Sequence, residues 1–458
     1  MLMETNMQIT FLGAVHTVTG SKYLLTVNSR KILIDCGLFQ GPKELRLRNR
    51  NPLPIDPKDI DAVIITHAHI DHTGYLPILV KNGYKGKIYC SDGTMSLCSV
   101  LLLDSGYLQE EEARFANRTG YSKHEPALPL YTMEDARKTL THFEAIDFEV
   151  PHILFDDCSF ELFRAGHIIG ASFIKIKNNN TTILFTGDIG RPHDPVMLPP
   201  TIIQEADYIV MESTYGDRIH DSTNPQPQIG AVINETVKRG GSIIIPAFAV
   251  GRAQSLLYYI YELKKSGVIS DIPVYLDSPM ATSATKILCK HMKDHRLNED
   301  QCKHLCNAAK YINSPKESQQ LDADKSPKII ISASGMLEGG RILHHLKAFA
   351  PDPKSSILIT GYQAVGTRGA QLVKGDREIK IHGEQVPIRA QVEVMSSGSA
   401  HADYREMLDW LKHFKSPPKK VFITHGEYNS AITFKSHIEK ELGWQCEVPD
   451  YLEKVELL

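Results

Sequence analysis

Thr66-His-Ala-His-Ile-Asp-His-Thr-Gly74 is the stretch that decides how this chain is read. Four side chains able to bind a metal, His67, His69, Asp71 and His72, fall within six positions. The run before them, Asp61-Ala-Val-Ile-Ile-Thr66, is apolar and β-branched and ends at a polar residue, the pattern of a short buried strand. The cluster therefore lies just past a strand's C-terminal end, where a sheet can aim loop side chains. Imidazoles and a carboxylate suit a borderline divalent ion such as zinc. The spacing offers His67 and His69 to one ion and leaves Asp71 and His72 for a second. A histidine-rich polar turn is the plain alternative, and the ligand-type residues found downstream speak against it.

Upstream, Gln8–Leu12, Lys22–Val27 and Lys31–Ile34 read as strands, with Asn28-Ser29 as a turn. Asp35 ends the last of them, as a turn residue or a site carboxylate. The segment Gly41–Arg50 carries Lys43, Arg46, Arg48 and Arg50 and reads as a basic loop, either solvated or a rim attracting phosphates. Downstream, residues 73–150 read as mostly helical. Phe160–Phe163 resumes a strand and leads to His167. A hairpin with an asparagine turn at Asn178–Asn180 ends near Asp188. Ile209-Val-Met-Glu-Ser-Thr-Tyr215 repeats the design of a strand followed by an acidic residue, here Glu212.

A second unit begins near residue 216. Ser242–Ala247, Pro273–Asp277, Lys328–Ser332 and Ser356–Thr360 are continuous apolar strands, with helical stretches such as Gln254–Leu263 and Arg341–Ala348 between them. That alternation predicts a parallel α/β sheet. Glycine-rich loops follow two of these strands, at Ser332–Gly340 and Thr360–Thr367. The amides around Ser334, Gly335 and Met336 can cradle a phosphate, and a tight turn is the competing reading. Residues 296–327 are polar and read as a mobile or surface helical segment. The sheet pattern resumes at Val392–Met395, and two further histidines, His401 and His425, follow on loops at strand ends.

Length and composition set outer bounds. A chain of 458 residues implies about two to four domains. Hydrophobic and charged fractions of 42% and 23% are those of a globular protein. A net charge of −3 argues for no particular partner, so a polyanionic substrate would be attracted by local basic patches and metal ions. The eight cysteines include no CxxC pair, as in reduced cytosolic proteins. No signal-like N-terminus and no apolar run of about 18 residues stands out. The expectation is a soluble, cytoplasmic protein without a membrane anchor.

Together these motifs resemble the metallo-β-lactamase superfamily, and within it the β-CASP nucleases, over nearly the whole chain. The superfamily signature stands as His67-Ala-His-Ile-Asp-His72, with Asp35 as the early aspartate, and His167 and Asp188 match the later ligand motifs. The three β-CASP markers match Glu212 in Met-Glu-Ser-Thr-Tyr, His401 in Ser-Ala-His-Ala-Asp and His425 in Thr-His-Gly-Glu. Pro246-Ala-Phe-Ala-Val250 and Tyr275-Leu-Asp-Ser-Pro-Met280 are similar to the RNA-processing branch, which includes the endonuclease subunit of cleavage and polyadenylation. Neither a KH-type extension before the metallo domain nor a long region after His425 stands in this sequence, and the expectation is a stand-alone bacterial-type ribonuclease.

The resemblance implies an α/β fold: an αββα metallo-β-lactamase sandwich from residues 1–212 and 391–458, with a parallel α/β β-CASP domain, 213–390, inserted. It implies two zinc ions, one on His67, His69 and His167, the other on Asp71, His72 and His425, with Asp188 bridging. Asp35 would orient ligands by hydrogen bonding. His401, held by Glu212, would be the general acid for the leaving oxygen. The implied activity is hydrolysis of single-stranded RNA to 5′-phosphate and 3′-hydroxyl ends, with Arg46, Arg48, Arg50 and the Ser334–Met336 amides on the phosphates. A homodimer is compatible with this reading. A β-CASP DNA nuclease and a catalytically silent RNA-binding subunit with structural zinc are the alternatives. A small-molecule hydrolase fits poorly, because the insertion is expected to roof the metals.

Overall fold

A computed structural model describes residues 7–457 apart from 121–123, 156, 222–223, 362, 364–365 and 396–397. The chain divides into two units: residues 1–219 with 401–458, and residues 220–400.

The first unit holds two seven-stranded sheets. One runs in the order Lys454–Glu456, Met7–Phe11, Tyr23–Val27, Arg30–Ile34, Ala62–Ile64, Ile88–Cys90, Phe143–Ala145. The other runs Cys446–Glu447, Lys420–Thr424, Tyr208–Glu212, Thr181–Phe185, Ser172–Asn178, Cys158–Arg164, His152–Phe155. Their inner faces share one core, in which Phe11, Ile34 and Ile64 meet Phe160, Phe185 and Phe422. The Phe11 and Phe422 rings lie 5.3 Å apart, and Tyr23 hydrogen-bonds Thr424 at 2.9 Å. The faces close because each strand alternates or runs apolar toward the partner sheet. Asn28 and Ser29, both at positive φ, make the two-residue turn of the first hairpin.

In the second sheet, Thr181–Phe185, Tyr208–Glu212 and Lys420–Thr424 are adjacent and parallel, with Glu212 opposite Thr424. Their C-terminal ends therefore place Glu212, the last residue of its strand, and Asp188 and His425, which follow theirs, at one edge of the sheet.

The second unit carries a six-stranded, all-parallel sheet in the order Lys310–Tyr311, Val274–Asp277, Ile329–Ser332, Ile243–Pro246, Ser356–Ile359, Gln391–Val394. A separate hairpin pairs Glu378–Ile381 with Glu384–Pro387. Isoleucines dominate the central strands and are fully buried, which suits strands covered on both faces.

Several expectations change. Residues 73–150 are not only helical: Ile88–Cys90 and Phe143–Ala145 are strands of the first sheet. At three residues each, they are too short to show a period. The basic segment is not a loop, since Lys43–Arg48 is a short helix. Residues 296–327 do carry helices, Glu299–Asn307 and Pro315–Ala323, both capped, but add the edge strand Lys310–Tyr311. Gln391–Val394 pairs with Ser356–Ile359, so the second unit runs to Ala400 rather than ending at residue 390. At the other boundary, residues 213–219 stay with the first unit. Tyr362, Ala364 and Val365 of the second glycine-rich loop, and Ser396 and Ser397 before His401, lie outside the described residues.

Candidate metal centre

The strand Ala62–Ile64 delivers Thr66 to His72 to the edge of the sandwich, and a four-residue helix, Ile70–Thr73, turns Asp71 and His72 back inward. Gly37 lies against the Asp71 backbone so closely that a Cβ would overlap the Asp71 carbonyl. Ser21 and Cys36 fix this turn further: the Ser21 amide donates to Asp71 O at 2.8 Å and the Cys36 amide to His72 O at 2.7 Å.

Three overlapping groups of donors assemble there, the third being Asp188, Glu212 and His425; the other two hold the histidines of the motif. His67, His69, His167 and Asp188 form one; Asp71, His72 and His425 form the other, and within each group the ligand atoms lie within 4.8 Å of one another. Asp188 spans both. Its Oδ2 is 3.2 Å from His67 Nε2 and 3.4 Å from His167 Nε2, and its Oδ1 is 3.4 Å from His72 Nε2 and 3.5 Å from His425 Nδ1. Nitrogens also face nitrogens: His67 Nε2 and His69 Nδ1 are 3.1 Å apart, and His72 Nε2 and His425 Nε2 are 3.2 Å apart.

This arrangement tests whether a cation fits. Asp188 Oδ1 is buried and has no hydrogen-bond partner. A buried carboxylate oxygen left without a donor is costly. Burial, reinforced by the charge of His72, lowers the His67 pKa to about 3, and burial also lowers His69 and His167. Neutral imidazoles are the form that binds metal. Burial would raise Asp188, but His425, His67 and His72 outweigh it and hold the carboxyl well below its usual range. Uncharged His67, His69 and His167 beside an ionised, unsatisfied carboxylate fit a divalent cation, and imidazole with carboxylate is a donor set that zinc accepts.

Asp35 stands outside all three groups. Its Oδ1 accepts from the Thr66 amide at 2.8 Å; its Oδ2 accepts from Thr66 Oγ1 at 2.8 Å and lies 2.7 Å from His72 Nδ1. That bond turns His72 Nε2 toward the donors. Burial opposes a charged His72, yet Asp188 and Asp35 prevail and hold its pKa well above the ordinary value. Both Asp35 and His425 sit at positive φ, +56° and +47°. Non-glycine residues are rare there, and the strain marks positions held by their surroundings. The His425 amide donates to Ala14 O at 2.7 Å, and Thr214 Oγ1 lies 3.2 Å from His425 Nδ1.

His401 and Glu212 form a dyad beside this cluster. His401 Nδ1 is 3.1 and 3.0 Å from the two Glu212 carboxylate oxygens, and Glu212 also accepts from the Ile189 amide. The His401 ring lies 4.4 Å from the His167 ring, and its Nε2 is 3.9 Å from Asp188 Oδ2. Burial would lower the His401 pKa, but Glu212 and then Asp188 raise it to about 9. The His401 side chain keeps 21% exposure, against 0% for Glu212. A bridge from Gly190 to His401 and a hydrogen bond from the Ala402 amide to Ile189 O fasten this segment to the Asp188 loop.

Several of the sequence-predicted phosphate contacts have partners of their own. Arg48 packs its guanidinium over Tyr451 at 4.5 Å and Phe39 at 5.5 Å, and Arg50 donates to Leu128 O at 3.0 Å. Arg46 is exposed on the short helix. The Ser334 amide is committed to Gly339 O at 3.3 Å, and Met336 O accepts from the Gly369 amide. Sequence reading passed over Thr66, whose hydroxyl ties Asp35 to His67 and His72, and Thr214, which orients His425. Thr66 adjoins the first histidine of the motif, but a threonine there carries no distinctive signal of its own.

Family models match three segments: the metallo-β-lactamase superfamily over residues 18–224, the β-CASP domain over 253–372 and the Zn-dependent metallo-hydrolase RNA specificity domain over 385–449. Over 430 residues the chain is 33% identical to Ribonuclease TTHA0252 of Thermus thermophilus, covering 92% of this chain and 93% of the relative. The chain belongs to the β-CASP family of the metallo-β-lactamase superfamily. Other β-CASP relatives are the transcription termination factor FttA of Methanosarcina mazei, 32% identical over 98% of this chain and 72% of the relative, and an RNase J-like protein of Methanocaldococcus jannaschii, 31% identical over 92% of each. A solved protein of unknown function from Enterococcus faecalis shares the fold, with a TM-score of 0.56 at 14% identity, over 99% of this chain and 100% of that one. Among the described residues of this β-CASP chain, no helix is long and apolar enough to cross a membrane.

Proposed function

We propose that this β-CASP protein is a metal-dependent ribonuclease that hydrolyses phosphodiester bonds of single-stranded RNA to 5′-phosphate and 3′-hydroxyl ends. The observation that carries the reading is the His401–Glu212 dyad set against two donor groups that share Asp188. Relatives named as ribonucleases support RNA as the substrate.

His67, His69 and His167 would hold one zinc ion and Asp71, His72 and His425 a second, with Asp188 common to both. Bound there, the ions acidify a water and offset the charge of the phosphate oxygens. The chain's own residues do the rest. Asp35 fixes the tautomer and orientation of His72, leaving Nε2 to face the donors. Glu212 accepts from His401 Nδ1, so the proton available for transfer sits on Nε2. From there His401 protonates the leaving 3′-oxygen, which prevents a high-energy alkoxide from departing. Arg46, exposed on its helix, and backbone amides near Gly335 and Met336 are the groups we assign to RNA phosphates, with Arg48 and Arg50 tied first to internal partners. Six of the eight cysteines are buried as free thiols, which supports a reducing compartment such as the cytoplasm.

The deciding experiment follows end-labelled single-stranded RNA, and a DNA oligonucleotide of the same sequence, with purified protein before and after chelation. Chelator-sensitive cleavage of the RNA with 5′-phosphate products is expected. Faster turnover of the DNA would replace the RNA reading with a DNA nuclease. Metal-replete protein that cleaves neither would favour a silent binding subunit.

A further inference from the structure

The second unit contains a thiol cluster that plays no part in the chemistry above. Cys289 lies in the last turn of the helix Pro279–Lys290. Cys302 and Cys306 lie one turn apart on the helix Glu299–Asn307, which packs against it. Cys289 Sγ and Cys306 Sγ are 3.0 Å apart. Cys302 divides its contacts: its Sγ is 3.6 Å from Met292 Sδ and 3.9 Å from His295 Nε2, and toward Cys289 it offers its carbonyl, 3.6 Å from Cys289 Sγ, and a thiol hydrogen bond longer than the Cys289–Cys306 contact. Exposure separates them too. Cys289 and Cys306 are half-buried, whereas Cys302 and the other five cysteines are buried.

From this geometry we propose that Cys289 and Cys306 are a modification site, a dithiol that peroxide converts to a disulfide and thiol reductants reopen. Nucleophilic character falls on Cys306. The hydrogen bond it shares with Cys289, helped by the charge of Lys286, lowers its pKa to about 7, while the same bond and burial push Cys289 up. The Cys306 thiolate attacks a peroxide oxygen. The O–O bond breaks, Cys306 becomes a sulfenic acid, and the departing hydroxide takes up a proton as water. Cys289 sulfur then attacks Cys306 sulfur. The S–S bond forms, the S–O bond breaks, and the hydroxide leaves as water with the Cys289 proton. Two thiols lose two electrons and the peroxide is reduced to two waters. The bond would staple the last turns of the two helices together.

The test treats the full-length protein with dilute hydrogen peroxide, blocks remaining thiols and maps non-reduced peptides by mass spectrometry. The expected product is a Cys289–Cys306 cross-link that consumes two of the eight thiols and is restored by dithiothreitol. Cys289→Ser and Cys306→Ser should each abolish it, and Cys302→Ser should leave it intact. The oxidised protein should melt higher than the reduced one, since the cross-link restricts the unfolded chain. A cross-link to Cys302, irreversible oxidation of Cys306 without any cross-link, or a zinc or copper ion lost on Cys289→Ser would each overturn the proposal.

Discussion

At the residue scale, the centre separates side chains that would touch metal from side chains that position them. His401 is the most informative. Its Nδ1 is taken by Glu212, and its Nε2 is 3.9 Å from Asp188 Oδ2, beyond hydrogen-bonding reach. His401→Ala is therefore expected to retain metal and RNA binding while cleavage falls by ~10²–10⁴-fold. An RNA whose bridging 3′-oxygen is replaced by sulfur needs no proton on departure, and the variant should cut it at nearly the parent rate. Loss of metal in the variant, measured by elemental analysis, would make His401 a ligand instead. Asp35 is the opposite case, since it reaches the donors only through Thr66 and His72. Asp35→Ala should weaken metal affinity by roughly 10–100-fold, as removal of an orienting partner does. A metal titration against a competing chelator measures it, and unchanged affinity would reduce Asp35 to a structural turn. The motif histidines were legible because metal chemistry restricts residue type and spacing. Thr66 and Thr214 were not, because a hydroxyl that orients a ring looks like any other threonine.

At the element scale, the long and strongly patterned segments were legible and the short ones were not. The apolar strands of the inserted unit, such as Ile243–Pro246 and Ile329–Ser332, announce themselves by unbroken isoleucine runs. Ile88–Cys90 and Phe143–Ala145 do not, because three residues cannot display alternation and their strand pairing is a tertiary outcome. One element-level network also escaped sequence reading. Asp277 ends a central strand, and His345, on the helix Ile342–Phe349, lies 2.9 Å from it and 2.7 Å from Asp322. Arg341 closes the group on Asp277 Oδ1 at 2.6 Å. Burial disfavours the charged histidine, but Asp277 and Asp322 raise its pKa; burial likewise opposes Asp277, and His345 with its other partners lowers it. A raised histidine stabilises fully below its unfolded pKa, about 6.5, and its contribution fades as pH rises through the folded value. A lowered aspartate stabilises above its unfolded pKa, about 3.9, and fades as pH falls. The network should hold best between about pH 4 and 6.5. His345→Gln should accordingly lower the melting temperature most near pH 5–6 and least near pH 9. A deficit of equal size across that range would show that the ring acts by packing rather than by charge.

At the scale of the whole molecule, the first unit is assembled from both ends of the chain, with residues 220–400 intervening. Removing metal should loosen the first unit locally. Hydrogen exchange after chelation is expected to accelerate at residues 65–73, 186–190 and 423–427, while the buried strands Ile243–Pro246 and Ile329–Ser332 keep their protection. Equal loss of protection in both sets would mean that the ions stabilise more than their own edge of the sandwich. The two-unit organisation was legible from the switch to unbroken apolar strands. Its second boundary was not, because Gln391–Val394 reads alike in either sheet and only its pairing with Ser356–Ile359 assigns it. The late position of His425 also sets a clock on biosynthesis. His67, His69, Asp71, His72, His167 and Asp188 leave the ribosome first, and His425 follows only after another 236 intervening residues. At bacterial-scale elongation of about 5–20 residues per second, that interval is roughly 12–50 s. Throughout it the nascent chain holds an incomplete donor set, and for all but its last stretch it also lacks the His401 acid. On the proposed mechanism the expectation is a nascent chain inactive toward the one RNA that is always within reach, the message from which it is being translated.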